Sequence, residues 1–462
     1  MQHLRRPATG GPLVTCAALL GSLFASAHVH AALVTVPGFG YVKSVEGIDE
    51  YTLDGNGLQV LLKPDHSAPV VTFQVTYHVG SRNEVTGTTG ATHLLEHMMF
   101  KGSEGYNDPQ GNSIKQYLES VGAGFNATTS FDRTNYFATL GRDHLEGYVA
   151  IEADRMRRLW LHESDRQAEM TVVRNEFERG ENNPESALMK EVQALVFIAH
   201  PYHHPTIGWR SDIEHVPIEK LRGFYDTFYW PNNATVTVVG DIDPAQALKL
   251  IDKYYGKIPR APQPIPLVYT EEPVQTGARR VTLQRPGQLG NIVIAYKVPD
   301  ARAADLPALE VLGSILSDGK SSRLYPALVD KSLALGTEAG AYRMHDPGMF
   351  IVDAALAPQA THEAVEKIAL AEIEKIKSGG VTQAEVARAV RQYLASEAYA
   401  RDGTSNVASS LNEWIAVGDW TLYARYADKV SKVTPADVKR VAQKYLAHEQ
   451  STTGWFVPVV GK

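Results

Sequence analysis

The sequence predicts an α/β protein of the α+β kind, with two homologous layered domains that face each other as a clamshell. Each domain is expected to be a mostly antiparallel sheet with helices packed on it. Two observations carry the prediction. The order of strand and helix patterns in the first half returns in the second, and a proline-rich stretch without helical period divides them. A chain of 462 residues that is 44% hydrophobic and 21% charged can bury large cores, and its length points to about two to four domains.

The chain opens with Arg5 and Arg6, an apolar run over 13–27 and the small residues of "ASAHVHAA", and its first acidic residue is Glu46. This is the layout of a secretory signal peptide over residues 1–31, with cleavage after Ala27, Ala31 or Ala32, and it predicts a periplasmic or secreted protein. A mitochondrial presequence is also poor in acids, but it is amphipathic, whereas this run is apolar all round. The run is too short to span a membrane, and nothing later approaches 18 consecutive apolar residues. The single cysteine, Cys16, lies inside it, so the mature chain has neither disulfides nor thiolate chemistry. The "LVT" before Cys16 lacks the small residue of a lipid-attachment site. Loss of the segment takes the formal charge from -7 to about -9. With no Lys/Arg block in the chain, nucleic acid is excluded as a partner.

Residues 32–256 form the expected N-terminal domain. Strands are predicted at "LQVLLK" and "VVTFQVTYHV", followed by a helix through "ATHLLEHMMF" and another at "SIKQYLESVG". Strands follow at "GFNATTS" and "NYFATL", with long helical patterns over 142–161 and 166–180. A helix over 217–229 and the buried strand "ATVTVVGD" close the half. Residues 257–276, "KIPRAPQPIPLVYTEEPVQT", carry five prolines and read as an extended linker.

Residues 277–462 repeat the order. Strands are predicted at "RRVTLQR" and "NIVIAYKV", a helix over 304–316, a helix near "SSRLYPALVD", and strands at "TEAGAY" and "MFIVDAAL". Helices over 362–377, 382–399 and 435–447 and a last strand at "TTGWFVP" complete it. In this alignment "LEVLGS" stands where the first half has "THLLEH", so the chemistry belongs to the first half.

That chemistry is a metal site. His93 and His97 are four apart on one helix face and can hold one ion. Glu96, on the same side, can take a proton from a water that the ion holds. Chance alone yields H-x-x-[DE]-H in only a few per cent of chains of this size, so a second element is needed. "EMTVVRNEFERGENNP" supplies it: Glu169 and Glu176 are seven apart on a predicted helix, and either can complete the His₂Glu set familiar in catalytic zinc sites.

H-x-x-E-H followed some seventy to eighty residues later by E-x6-E resembles the inverzincin peptidases of the pitrilysin or insulinase family, which includes mitochondrial processing peptidase. The resemblance covers essentially the whole mature chain, including the duplicated halves and "GFNATTSFDRTNYFATL". It implies His93, His97 and Glu176 as ligands of one Zn2+ per chain, Glu96 as general base, and Glu169 as a supporting acid outside the ligand set. It also places Asn126 and Ala127 along a strand edge that receives an extended peptide. The spacing does not separate zinc from manganese or cobalt. The three histidines of "HPYHHPTIGW", His200, His203 and His204, read as a fixed loop between prolines, not as a second metal site.

One departure stands out. Members of the family with a complete site carry an Arg and, seven residues later, a Tyr in the second half, where this chain has Val329 and Gly336. Arg323, Tyr325, Tyr342 and Arg343 lie nearby without that spacing. The expectation is a zinc metalloendopeptidase cutting short or unfolded peptides, working as a heterodimer with a related, motif-lacking subunit that supplies Arg and Tyr. The rival expectation is a non-catalytic peptide-binding or assembly subunit with a residual zinc site. A metal-storage role would leave Glu96 without a task.

Overall fold

The computed structural model describes residues 34–459, so the expected signal peptide lies outside the described residues. The first half runs β1 (Phe39–Val45), β2 (Ile48–Leu53), β3 (Gln59–Pro64), β4 (Val70–Tyr77), α1 (Ala91–Met98), α2 (Ile114–Ser120), β5 (Gly124–Thr129) and β6 (Thr134–Gly141). It continues α3 (Leu145–Arg157), α4 (Glu163–Glu181), α5 (Pro184–Val196), α6 (Arg210–His215), α7 (Ile218–Phe228), β7 (Ala234–Gly240) and α8 (Pro244–Tyr255). The second half runs β8 (Arg279–Pro286), β9 (Asn291–Val298), α9 (Leu306–Ser317), β10 (Ala334–Ala341), β11 (Gly348–Leu356) and α10 (His362–Gly379). It ends α11 (Gln383–Ala400), α12 (Thr404–Ala416), α13 (Leu422–Ser431), α14 (Pro435–Tyr445) and β12 (Ser451–Val459).

The expected class is what the chain adopts: mixed α/β, with two sheets and helices packed on them. The first sheet is ordered β1-β2-β3-β7-β4-β6-β5 and the second β10-β11-β9-β12-β8. Read from β3 and from β8, the two orders match strand for strand. The parallel pair falls at the same place in both, β3 with β7 and β8 with β12, and the remaining pairs are antiparallel. Such agreement in order, direction and connectivity is the structural form of the repeat read from the sequence. The β1–β2 hairpin extends the first sheet alone.

Each half lends a helix to the other's sheet. Leu188, Val192 and Val196 of α5 bury against Val293, Ala295, Met349, Ile351 and Phe456 of the second sheet. Gly454 of β12 permits that approach, because a Cβ there would stand 2.3 Å from Val192 Cγ2. In return α12 crosses the first sheet with polar contacts. Thr72 meets Thr404 at 2.8 Å, the Thr76 hydroxyl donates to Asn412 at 2.6 Å, and the Gln74 amide donates to the carbonyl of Ala408 at 3.2 Å. The exchange bears on the expected clamp: parting the two halves at the linker requires stripping both helices from their sheets.

One element of the second half differs in kind from the sequence reading. The expected helix near "SSRLYPALVD" is a single π turn, Tyr325–Val329, closed by the Asp330 N–H on the Tyr325 carbonyl at 3.0 Å. The stretch around the prolines is extended, as expected, and it is pinned by Glu272, which accepts from the N–H groups of Ile198, Ala199 and His200 and pairs with Lys297 at 2.7 Å. No helix among the described residues is long and apolar enough to cross a membrane.

Candidate metal centre and active site

The helix α1 is an interior helix by composition: Ala91, Thr92, Leu94, Leu95 and Met98 are all buried. Its first turn lacks a capping side chain of its own, and Gly90 before it takes φ 84°, where a Cβ would collide with the carbonyl of Ile207. The orphan amides are met from a distance. Glu84, fully buried, accepts from Gly90 N–H at 2.8 Å and Thr92 N–H at 2.7 Å, so that its carboxyl group meets two orphan donors of the helix N-terminus. Burial pushes the Glu84 carboxyl up to about 8, while those bonds pull the other way. Asp212 holds the preceding loop through Gly87 N–H, Thr89 N–H and the Thr89 hydroxyl. The position of α1 is therefore fixed by two acids outside the motif, which the sequence reading did not single out. A short spacer of Gly and Thr before the histidines was the available signal.

On α1, His93 and His97 lie one turn apart with their rings edge to face, centroids 4.8 Å from each other. From α4, Glu176 reaches across so that its Oε2 lies 3.6 Å from His93 Nε2 and 3.7 Å from His97 Nε2. These separations exceed a hydrogen bond. They lie close to the edge of a tetrahedron with bonds of about 2.0–2.1 Å, which is about 3.3–3.4 Å. His93, His97 and Glu176 are the group whose ligand atoms converge within 4.8 Å among the described residues. The donor set suits zinc: two imidazole nitrogens and one carboxylate oxygen, all turned toward a common centre and not bonded to one another. Burial, and then His97, lower the His93 pKa to about 4, which keeps a lone pair free.

Glu169, two turns earlier on α4, does not join the trio. Its Oε2 lies 3.0 Å from His97 Nδ1, the nitrogen facing away from Glu176, and its other oxygen pairs with Lys101. Burial opposes the charge of Glu169, but Lys101 and His97 outweigh it and hold the carboxyl below the usual range.

Glu96 is 9% exposed, and the Thr129 hydroxyl donates to its Oε2 at 2.5 Å. Burial raises its pKa, partly offset by Thr129 and by the imidazole of His97, while Glu176 adds to the rise. Thr129 ends β5, the edge strand of the first sheet, so the strand edge and the buried acid are joined directly. On the same strand Asn126 is exposed and Ala127 is buried opposite Tyr136. The hairpin beyond is braced by Arg133, which donates to Thr128 and Asn135 and pairs with Glu413 of α12. Thr129 and Arg133 were missed in the sequence, where each reads as an ordinary strand or turn residue.

The histidine-rich loop does what the prolines implied. His200 Nδ1 accepts from Tyr202 N–H and its Nε2 lies 3.1 Å from Asp346, and His204 is buried beside Glu84. In the second half, Arg323 is committed to Glu385, at 2.6 and 3.1 Å. Arg343 is committed to Glu310 at 2.6 Å and lies over the rings of Trp414 and Tyr426. Val329 packs at the end of the π turn, and Gly336 lies on the edge strand β10.

Comparison with known proteins agrees with this architecture. The chain is 32% identical to the zinc protease PqqE of Helicobacter pylori over 409 residues, 87% of this chain and 91% of that one. It is 24% identical to a probable mitochondrial-processing peptidase subunit beta of Arabidopsis thaliana, covering 85% of this chain and 75% of that one. The crystal structure of a protease from Helicobacter pylori superposes with a TM-score of 0.83 at 31% identity, over 92% of this chain and 100% of that one. The family model for insulinase (peptidase family M16) matches residues 59–209 and that for the peptidase M16 inactive domain matches 215–393. With both models placed in order along more than half of its length, the chain belongs to peptidase family M16.

Proposed function

We propose that this protein is a zinc-dependent endopeptidase that hydrolyses short or unfolded peptides held as an extended strand along β5. The observation that carries the reading is the convergence of His93 Nε2, His97 Nε2 and Glu176 Oε2 beside a buried Glu96 that is itself tied to the edge strand. Zinc held by these three residues would polarise the scissile carbonyl and acidify water enough for attack near neutral pH. Glu96 takes the proton of the attacking water and passes it to the leaving amine. Oε1 is the atom for this transfer, since Thr129 engages Oε2. Glu169 fixes the ring of His97. Asn126 and Ala127 offer backbone groups to an added strand, with specificity set by pockets for alternate side chains.

The reading includes division of labour within one architecture: a zinc-bearing half over 32–256, a linker over 257–276 and a related half over 277–462 that lacks the histidines. Val329 and Gly336 occupy the positions of the missing Arg and Tyr, and the nearby Arg323 and Arg343 are held by Glu385 and Glu310. This supports a heterodimer in which a related, motif-lacking subunit supplies both side chains. The expected signal peptide supports a place in the periplasm or outside the cell.

The same absence favours a second reading, a peptide-binding or assembly subunit with a residual zinc site. A structural site has four protein ligands and no open position. The trio of three supports the catalytic reading. The test is to purify the chain alone and with its related subunit, load it with zinc and follow peptide cleavage by mass spectrometry. Cleavage by the pair and little by the single chain is expected. Full activity of the single chain removes the heterodimer, and no activity of either removes the peptidase.

A further inference from the structure

The strand β5 meets two demands at once: as the last strand of the first sheet it offers an open edge, and through Thr129 it holds Glu96. The register of the hairpin shows that both fall on one residue. Ser130 N–H donates to the carbonyl of Arg133 at 2.9 Å, and the pairing continues in step from there, with Thr129 opposite Thr134 and Thr128 opposite Asn135. Hydrogen-bonded and non-hydrogen-bonded pairs alternate along an antiparallel ladder, so Thr128 is bonded to β6, while Ala127 and Thr129 turn their N–H and C=O to the open edge. Thr129 thus faces an added strand with its backbone, and its hydroxyl donates to Glu96 Oε2 at 2.5 Å. A shift of this residue moves the peptide and the base together.

What keeps Thr129 in place comes from the other half. β5 is six residues long with a neighbour on one side only, so its end needs a grip beyond the ladder. Arg133, 8% exposed, folds its guanidinium back over the hairpin. Nη1 donates to the carbonyl of Thr128 at 3.3 Å, to the Thr128 hydroxyl at 2.6 Å and to Asn135 Oδ1 at 2.9 Å. Nε and Nη2 donate to Glu413 Oε1 of α12 at 3.1 and 2.5 Å. The Asn135 amide donates in turn to Gln74, whose own amide reaches the carbonyl of Ala408, also on α12.

One helix of the second half therefore holds the hairpin at two points, and Arg133 is the side chain that carries its hold to β5. Asn135 Oδ1 also accepts from the Thr128 hydroxyl at 2.5 Å, so this buried acceptor keeps a partner without the guanidinium. The alignment of the hairpin to α12 is what depends on Arg133. A planar fork with fixed donor directions transmits position, which a lysine ammonium on a flexible stem does not.

We propose that Arg133, anchored by Glu413, is a positioning residue of the peptide site: it fixes β5 so that Thr129 presents its backbone to the substrate strand and its hydroxyl to Glu96. The proposal rests on the peptidase reading, and the experiment separates the two. A zinc-loaded Glu96→Gln protein is titrated with a fluorescein-labelled casein peptide, and turnover of the same peptide is followed in the enzyme with Glu96 intact and its partner present. Adding Arg133→Ala is expected to weaken binding about threefold to tenfold, because the ordering cost of β5 returns to the binding step. In the active assembly it raises KM in the same proportion and lowers kcat about tenfold, through misplacement of Glu96. Zinc content and the fraction of chains that bind peptide stay at parent levels, whereas a variant that merely loses folded protein lowers both and leaves KM unchanged. Arg133→Lys keeps the charge without the fork and stays impaired. Glu413→Ala, at a half-exposed position, shifts binding and kcat in the same direction and adds nothing on top of Arg133→Ala. Unchanged affinity in Arg133→Ala, no binding of the peptide by the Glu96→Gln protein, full recovery in Arg133→Lys, or a silent Glu413→Ala overturns the assignment. Weaker binding in both alanine variants, without cleavage by any zinc-loaded assembly, supports the positioning of β5 and removes the peptidase.

Discussion

His97 Nδ1 lies 3.0 Å from Glu169 Oε2, and because that carboxyl is held ionised by Lys101 and by His97 itself, the imidazole nitrogen must be the donor. The bond fixes the tautomer that leaves Nε2 bare toward Glu176. Glu169→Gln keeps the shape of the contact but removes its charge and unties Lys101. Zinc affinity is expected to fall about 10–100-fold, as for other partners of metal-bound histidines. Competition with a fluorescent chelator measures it, and an unchanged affinity makes Glu169 a packing residue only.

Glu96→Gln separates metal binding from proton transfer. Glu96 is absent from the converging trio, so zinc stoichiometry should stay at one per chain. Cleavage should drop by about 10²–10⁴, the range for loss of a general base. Peptide turnover measured beside metal content decides it: retained turnover would falsify the role of Glu96, and lost zinc would move it into the ligand set.

The candidate metal site was the most legible part of the sequence because its residue types are set by chemistry. Two histidines four apart and a distant E-x6-E need no knowledge of the fold, and His93, His97 and Glu176 do converge. What sequence could not show is support that arrives through tertiary contacts. Glu84, Asp212 and Thr129 act on α1 from other elements, and nothing in their spacing announces it. Most of the long periodic helices and alternating strands of both halves were legible for the same local reason, although α5, α8, α13 and the β1–β2 hairpin were not read. The helix α12 was not, because "TSNVASSLNEWIA" is rich in residues with weak helix preference, and its polar face is satisfied by Thr72, Gln74 and Thr76 of the other half.

That exchange of helices makes Gly454 a sensitive position. Its missing Cβ would stand 2.3 Å from Val192 and 2.9 Å from Leu188, the apolar ridge by which α5 grips the second sheet. Gly454→Ala therefore forces α5 outward, at a cost of about 1–3 kcal/mol for an overpacked core. Thermal unfolding should show a lower melting temperature in both halves at once, since α5 and α4 are joined by only a short turn and α4 carries Glu176. Reduced zinc affinity should accompany it. Loss of stability in the second half alone would show that the halves unfold independently.

Asp353 gives a prediction in pH. Its folded carboxyl, pushed up to about 7 by burial and by Glu185 and Glu338, keeps a proton that the unfolded chain releases near 3.8. Between those values the folded state binds more protons than the unfolded one, so stability falls as pH rises from about 4 to about 7 and is level above. The interval corresponds to on the order of 4 kcal/mol. Asp353→Asn keeps a buried acceptor at this place on β11 without the ionisation. The variant should unfold like the parent protein near pH 4.5 and at a higher temperature than the parent at pH 8. Melting curves across that range are the measurement, and a difference that does not grow with pH refutes the burial of an unpaired acid.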